Sequence, residues 1–226
     1  MKVTYYGHSC FAVAVGGSTL LFDPFISGNP LARNVNANSL AADYILISHG
    51  HDDHMADAIA IARRTGATII SNFELVEWFG KQGLNKCHSL NHGGGFQFPF
   101  GRVKFVTAVH SSSFADGSYA GNPGGFVLES VQGNFYYSGD TALTLDMKLI
   151  GDSVRLNFAA LCIGDNFTMG VDDAIKASEF VRCDEILGVH YDTFPPIRID
   201  HDRAIEKFEA AGKNLRLLKP GESREF

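Results

Sequence analysis

The first part of the chain is predicted to be β structure, because short apolar runs are separated there by glycine and proline. Residues 2–6, 10–15 and 19–22 fit strands, and Gly16-Gly17 fits the turn of a hairpin between the second and the third. Asp23-Pro24 ends the third strand, since proline has no N–H to donate to a ladder.

The rest of the chain alternates between helical and strand patterns. Helices are predicted where apolar residues recur every three or four positions, at 56–64, 73–81, 143–150, 172–181 and 201–211. Strands are predicted at short apolar runs, at 44–48, 67–70, 96–109, 126–130, 134–138, 157–163, 185–189 and 214–218. This order indicates an α/β (α+β) fold in which helices cover two packed sheets, a four-layer αββα sandwich forming one domain over residues 1–226.

Two long segments interrupt this pattern. Residues 27–42 are rich in Asn, Gly, Ala and Ser, and residues 111–125 are rich in Ser, Gly and Asn. Long loops are uncommon inside a compact domain and are often functional. We expect both of them to form walls of a pocket.

Composition excludes several classes of function. The chain has 226 residues and a net charge of -6, without a cluster of Lys or Arg, which argues against a surface for nucleic acid or an anionic membrane. The N-terminal residues enter a strand pattern without a signal-peptide h-region, so a cytoplasmic location is expected. The four cysteines form no CxxC pair and are expected to be reduced.

The most chemically informative segment is His49-Gly50-His51-Asp52-Asp53-His54, which follows the apolar run at 44–48. It places three imidazoles on one short turn beside a carboxylate. Imidazole nitrogens and carboxylate oxygens are the ligands that zinc and similar divalent metals prefer. Such groups are not packed together in an apolar interior without a cation to satisfy them.

Three further residues of ligand type also follow apolar runs. His110 comes after 105–109, Asp140 after 135–139 and His190 after 185–189. Strand carboxyl ends and the loops that leave them are where such folds gather their sites. Taken singly each residue fits an ordinary structural role, and their joint pattern indicates a site.

These residues together resemble the metallo-β-lactamase superfamily of metal-dependent hydrolases. The resemblance rests on the His-x-His-x-Asp-His run, on the later His110, Asp140 and His190, and on Asp23-Pro24 early in the chain. It implies the αββα sandwich of that superfamily. Segments 7–11, 164–170 and 190–195 look like a small prokaryotic group of largely uncharacterised hydrolases related to the ascorbate 6-phosphate lactonases.

Carried over position by position, the resemblance implies a dinuclear metal site. The implied ligands are His49, His51 and His110 for one ion, Asp53, His54 and His190 for the other, and Asp140 as a bridge through its two oxygens. Paired metals ~3.5–4 Å apart lower the pKa of a shared water to about neutral, so that a bridging hydroxide attacks the substrate. Asp53 orients that hydroxide or accepts its proton.

Three more residues are candidates for supporting roles. His8 is either a proton donor or substrate contact at the rim of the site, or a cap of the first strand. Asp23 is predicted to orient a metal-binding histidine. Asn166 is either a donor to a developing oxyanion or an ordinary turn residue.

The predicted function is hydrolysis of an ester, lactone, amide or phosphoester in a small molecule, with two divalent metal ions as cofactors. Zinc is favoured, and manganese and iron fit the same donors. The alternatives are phosphodiesterase or nuclease activity on nucleic acid, a di-iron reductase, and a non-catalytic metal-binding scaffold. A homo-oligomer is compatible with the sequence, and no nucleic-acid or membrane partner is expected.

Overall fold

Fourteen strands and six helices make up the computed structural model, which describes residues 1–226. The strands are β1 (Lys2–Gly7), β2 (Cys10–Val15), β3 (Ser18–Phe22), β4 (Tyr44–Leu46), β5 (Thr68–Asn72), β6 (Cys87–Leu90), β7 (Gly95–Phe98), β8 (Gly101–Thr107), β9 (Gly124–Ser130), β10 (Gly133–Tyr137), β11 (Phe158–Cys162), β12 (Glu185–Val189), β13 (Asn214–Arg216) and β14 (Ser223–Glu225). The helices are α1 (Asp52–Met55), α2 (Ala58–Thr65), α3 (Phe73–Lys81), α4 (Asp146–Ser153), α5 (Val171–Phe180) and α6 (His201–Ala210). Two short 3-10 turns lie at Ala37–Ser39 and Pro195–Ile197.

The strands form two seven-stranded sheets. Their orders are β14-β1-β2-β3-β4-β5-β6 and β13-β12-β11-β10-β9-β8-β7. Buried side chains of α2 and α3 pack on the first sheet, and those of α4, α5 and α6 belong to the cluster that includes the second sheet. The predicted αββα sandwich is therefore confirmed.

The predicted hairpin between β2 and β3 is confirmed, with Val15 opposite Ser18. Both turn residues have left-handed backbone angles, with φ of 58° at Gly16 and 75° at Gly17. A two-residue turn of this kind requires positive φ at both positions, which glycine adopts without steric cost. The glycine pair therefore fixes the register of these two strands.

Strand direction brings the candidate ligands to one edge of the sandwich. In the first sheet β1 and β3 both run antiparallel to β2, and β4 runs parallel to β3. In the second sheet β8 and β10 both run antiparallel to β9, and β11 and β12 run parallel to β10. Within each sheet the strands that share a direction end at one edge; these strands are β1, β3 and β4 in the first sheet and β8, β10, β11 and β12 in the second. The two edges meet where the N–H of His190 donates to the carbonyl of His8 at 2.9 Å.

Aromatic side chains fill the space between the two sheets and support this edge. Phe22 stacks on Phe11 at 4.6 Å between ring centroids, and its ring meets the edges of Phe135 and Tyr137 at 5.7 and 5.6 Å. All four side chains are fully buried. Burial of large aromatic rings contributes much of the stability of such a core. Because the core is closely packed, it fixes the positions of the strand ends.

Some boundaries differ from the predicted ones. The helix predicted at 56–64 is observed as α2, which begins two residues later and is preceded by the separate short helix α1. The helix predicted at 143–150 lies three residues later, as α4. β6 and β14 were not predicted, because both are short edge strands with few buried residues. None of the helices combines the length and the apolar character that a crossing of a membrane requires.

Candidate metal centre

The seven candidate ligands converge at the common strand edge. His49, His51 and His110 form one group, whose nitrogen donors all lie within 4.8 Å of one another. A second group joins Asp53, His54 and His190, and His8 belongs to it as well. Asp140 lies between the two groups. The division of ligands that the resemblance implies thus corresponds to two clusters in space.

The donors of the first group face a common point. Nε2 of His49 lies 2.9 Å from Nδ1 of His51. The ring of His110 is centred 5.1 Å from that of His49 and 5.2 Å from that of His51. Nitrogens bound to one zinc ion at about 2.0–2.1 Å in a tetrahedron are about 3.3 Å apart, so this spacing suits one small cation.

Asp140 connects the groups through one oxygen. Its Oδ2 lies 3.7 Å from Nε2 of His110, 3.3 Å from Nε2 of His54 and 2.9 Å from Nε2 of His190. Its Oδ1 is buried without a hydrogen-bond partner. The resemblance implies a bridge through both oxygens, whereas here a single oxygen faces both groups of donors.

Asp23 organises the layer behind the ligands. It is fully buried at the end of β3. Its carboxylate accepts hydrogen bonds from the N–H and hydroxyl of Ser48 at 2.7 and 2.5 Å and from the hydroxyl of Tyr137 at 2.5 Å. Nδ1 of His54 lies 2.7 Å from the same carboxylate. The structure thus places Asp23 where the predicted orienting role requires it.

These hydrogen bonds set the tautomers of two ligands. Because a carboxylate only accepts, His54 must donate to Asp23 from Nδ1, which leaves its Nε2 free. Ser48 donates to Asp23, so its oxygen accepts from Nδ1 of His49 at 2.9 Å. Both imidazoles therefore direct Nε2 toward the centre, as metal-binding histidines do. The Nε2 of neutral His49 is unprotonated, whereas a metal ion that binds His54 has to displace the proton from its Nε2.

His8 is fully buried beside the second group rather than exposed at its rim. Its backbone is left-handed, with φ of 56°, and its ring lies between Asp53 and Thr193. Nε2 of His8 is 3.2 Å from Oδ2 of Asp53, and Nδ1 is 2.9 Å from the hydroxyl of Thr193. Burial, and then the proximity of His190, lower the pKa of His8 to about 4, so a neutral ring donates to Asp53 from Nε2.

Replacing His8 by leucine is expected to weaken binding of the cation held by the second group by about 10–100-fold, because Asp53 loses the donor that orients it. The variant His8→Gln keeps an amide donor near the position of Nε2 and is expected to retain most of the affinity. Competitive metal titration of both variants checks this. Equal affinity of His8→Leu and the unmodified chain would contradict the assigned role.

The charges of the site favour binding of a cation. Asp23, Asp53 and Asp140 lie within one cluster, and the only basic side chains close to their oxygens are histidines. No Lys or Arg side chain pairs with any of them. Nε2 of His54 and Oδ1 of Asp140 are buried without hydrogen-bond partners, which is costly unless a metal ion satisfies such atoms. The donor set therefore fits divalent metal.

The pKa shifts agree with this interpretation. Burial lowers the pKa values of His49, His51 and His110, so these imidazoles are neutral and able to bind metal at neutral pH. For His54 burial acts in the same direction, but Asp140 and Asp23 outweigh it and raise the pKa well above its usual value. A proton on His54 occupies the position that a cation between the carboxylates would take.

Asn166 lies apart from these contacts. It is exposed on the loop after β11, with a left-handed φ of 56°, and its side chain makes no hydrogen bond to a candidate ligand. Its role as an oxyanion donor stays a prediction. Sequence reasoning did not find the hydrogen-bonding roles of Ser48, Tyr137 and Thr193. The position of Ser48 directly before His49 was the one available signal.

Two packed sheets flanked by helices, with a histidine- and aspartate-rich centre at their strand ends, define the class of metal-dependent hydrolases with a metallo-β-lactamase fold. Residues 2–190 match the family model described as beta-lactamase superfamily domain. The chain belongs to this superfamily.

Individual relatives agree with this assignment. A UPF0173 metal-dependent hydrolase of Flavobacterium johnsoniae is 54% identical over 226 residues, which are 100% of both chains. One from Methylacidiphilum infernorum is 53% identical over 223 residues, with 99% of both chains covered. Among solved structures, Igni18, a metallo hydrolase from Ignicoccus hospitalis, is 34% identical with a TM-score of 0.90, covering 100% of this chain and 98% of that one.

These comparisons confirm the predicted superfamily and the predicted enzyme class: the chain is a metal-dependent hydrolase. The narrower relation to the ascorbate 6-phosphate lactonases stays a prediction. The number and identity of the metal ions, the bond that is cleaved and the cellular location also stay predictions.

Proposed function

We propose that this chain hydrolyses an ester, lactone, amide or phosphoester bond in a small molecule at a centre for two divalent metal ions. The observation that carries the proposal is Oδ2 of Asp140, which lies within 3.7 Å of donors from both groups. One carboxylate oxygen shared between two clusters of nitrogen and oxygen donors is the arrangement that two adjacent cations need.

The residues of the centre have different roles in the proposed reaction. When bound, a pair of divalent cations acidifies a shared water and polarises the scissile oxygen. His49, His51 and His110 hold one side of the centre, and His54 and His190 hold the other. The side chain of Asp53 is 29% exposed while its Oδ2 is fixed by His8, so its carboxylate borders the opening and can accept a proton from the attacking water.

Zinc is the proposed metal, because imidazole with carboxylate ligation suits it, and manganese or iron is the alternative. A small-molecule substrate is proposed as the partner. The nuclease alternative is disfavoured by the net charge of -6, since binding to a phosphate backbone depends on clustered Lys and Arg.

Metal removal tests this proposal. Dialysis against a chelator is expected to abolish hydrolysis across a panel of chromogenic esters, lactones and phosphodiesters, and addition of zinc is expected to restore it at two ions per chain. The reason is that the proposed chemistry uses no protein nucleophile. Elemental analysis and initial rates measure both quantities.

A histidine outside the centre provides the control. His51→Ala is expected to lose metal and turnover together, whereas His88→Ala, on the edge strand β6, keeps both. Full turnover of the chelated protein would refute the proposal. Two tightly bound ions without turnover on any substrate would instead favour the non-catalytic scaffold.

A further inference from the structure

Thr193 provides the second hydrogen bond to the ring of His8. Both residues are buried, with 5% of Thr193 and 0% of His8 exposed, and the hydroxyl of Thr193 lies 2.9 Å from Nδ1 of His8. Because Nε2 of the neutral ring donates to Asp53, Nδ1 carries no proton and accepts from this hydroxyl. The other acceptor near the hydroxyl, the carbonyl of Tyr191, is more distant at 3.3 Å. Hydrogen bonds thus connect Thr193, His8 and Asp53 in sequence.

The turn that follows β12 carries Thr193 and is held in a fixed shape. His190 and Asp192 have left-handed backbones, with φ of 56° and 61°, a conformation that is uncommon for residues other than glycine. The N–H of Thr193 donates to the carbonyl of Tyr191 at 2.8 Å, and Oδ1 of Asp192 accepts from the N–H of Ile199 at 3.0 Å. Such conformations persist where the surrounding structure determines them, and they are common at functional sites.

The same turn also holds His8 at two further points. The N–H of His190 donates to the carbonyl of His8 at 2.9 Å. The ring of His8 is centred 4.3 Å from that of His190 and 5.6 Å from that of Phe194. The turn therefore fixes His8 at its carbonyl, beside its ring and at Nδ1, which leaves Nε2 directed at Asp53.

We propose that Thr193 is a positioning residue, which keeps Nε2 of His8 directed at Asp53 and thereby orients the carboxylate of Asp53 toward the cation of the second group. The turn after β12 then places two donors of that group, His190 directly and Asp53 through His8. In this role Thr193 binds neither the cation nor the substrate itself. The inference rests on the proposed function, because Asp53 belongs to the centre at which hydrolysis is proposed.

Zinc titration against a competing chelator, fitted for two ions per chain, tests this role without requiring turnover. Thr193→Val keeps the shape of the side chain and removes its hydroxyl, so we expect it to weaken one of the two binding constants about fivefold, the effect of one hydrogen bond. Thr193→Ser keeps a hydroxyl and is expected to retain most of the affinity. The control Thr65→Val removes a hydroxyl that donates to the carbonyl of Ile61 within α2, and it is expected to leave both constants unchanged.

A double-mutant cycle shows whether Thr193 acts through His8. The His8→Leu background has no Nδ1 to accept a hydrogen bond, so Thr193→Val is expected to weaken zinc binding there by less than about twofold. An effect of Thr193→Val that is as large in His8→Leu as in the unmodified chain overturns the inference. Equal zinc affinity of Thr193→Val and the unmodified chain overturns it as well.

NMR of the metal-free, unmodified protein provides a check that needs no substitution. Long-range 1H–15N spectra are expected to show the ring of His8 as the single neutral tautomer with its proton on Nε2, because Asp53 only accepts and Thr193 donates to Nδ1. A proton on Nδ1 would contradict the proposed role.

Hydrolysis rates of the same proteins separate the two proposals. If the unmodified chain binds two ions but cleaves no ester, lactone or phosphodiester, the proposed function is refuted, whereas an effect of Thr193→Val that disappears in His8→Leu still supports positioning by Thr193. Turnover that depends on two ions, combined with full zinc affinity in Thr193→Val, refutes the role of Thr193 alone.

Discussion

Replacing Asp140 by asparagine should reduce kcat/KM for any substrate of this centre by about a thousandfold or more. The reason is that Oδ2 of Asp140 is the one atom close to donors of both groups, and asparagine keeps the shape of the side chain but removes its charge. Loss of paired-metal chemistry costs several kcal/mol of transition-state stabilisation, and each 1.36 kcal/mol is a factor of ten in rate. Metal content is expected to fall from two ions per chain in the same variant.

The matched control is Asp52→Asn. Asp52 is exposed in α1 next to Asp53, and its side chain makes no hydrogen bond or ion pair. The control therefore removes one negative charge near the centre without touching a ligand, and it is expected to keep both metal content and rate. If Asp140→Asn retained two ions with unchanged affinity, the assignment of Asp140 as the bridge would be wrong.

The convergence of the candidate ligands was predictable from the sequence, because their residue types and their positions at strand ends are both local properties. Histidine and aspartate at the ends of apolar runs are visible without a structure, and parallel strands end at one edge wherever they lie in a sheet. The direction of each strand was enough to bring His49, His110 and His190 together. Whether an apolar run forms a helix or a strand was also predictable, because the spacing of apolar residues is a local property of the sequence.

The environment behind the ligands was not predictable, because it depends on contacts between distant segments. Tyr137 reaches Asp23 across the interface of the two sheets, 114 positions away along the chain. The backbone of His8 is left-handed, and this conformation turns the ring inward. Asparagine and glycine adopt it more readily than histidine, so the sequence does not predict it at this position. Edge strands such as β14, whose residues are all exposed, owe their structure to pairing with β1 rather than to an apolar pattern.

Replacing Asp23 by alanine is expected to lower the free energy of unfolding of the metal-free protein by about 3–5 kcal/mol, because it leaves four donors buried without an acceptor. The affected groups belong to Ser48, His54 and Tyr137. Urea denaturation measures the change. Affinity for the cation bound by His54 is expected to fall as well, by about 10–100-fold, since the imidazole loses the partner that fixes its tautomer.

Adjacent tyrosines allow the contribution of this network to be separated from burial alone. Tyr137→Phe removes one hydrogen bond to a buried carboxylate and is expected to cost about 1.5–3 kcal/mol. Tyr136 is equally buried, but its hydroxyl has no partner, so Tyr136→Phe is expected to be neutral or stabilising. Equal effects of the two substitutions in urea denaturation would show that the hydroxyl of Tyr137 contributes nothing through Asp23. If Tyr137 holds the carboxylate of Asp23 in place from the opposite sheet, Tyr137→Phe is expected to destabilise the protein more than Tyr136→Phe and also to weaken metal binding.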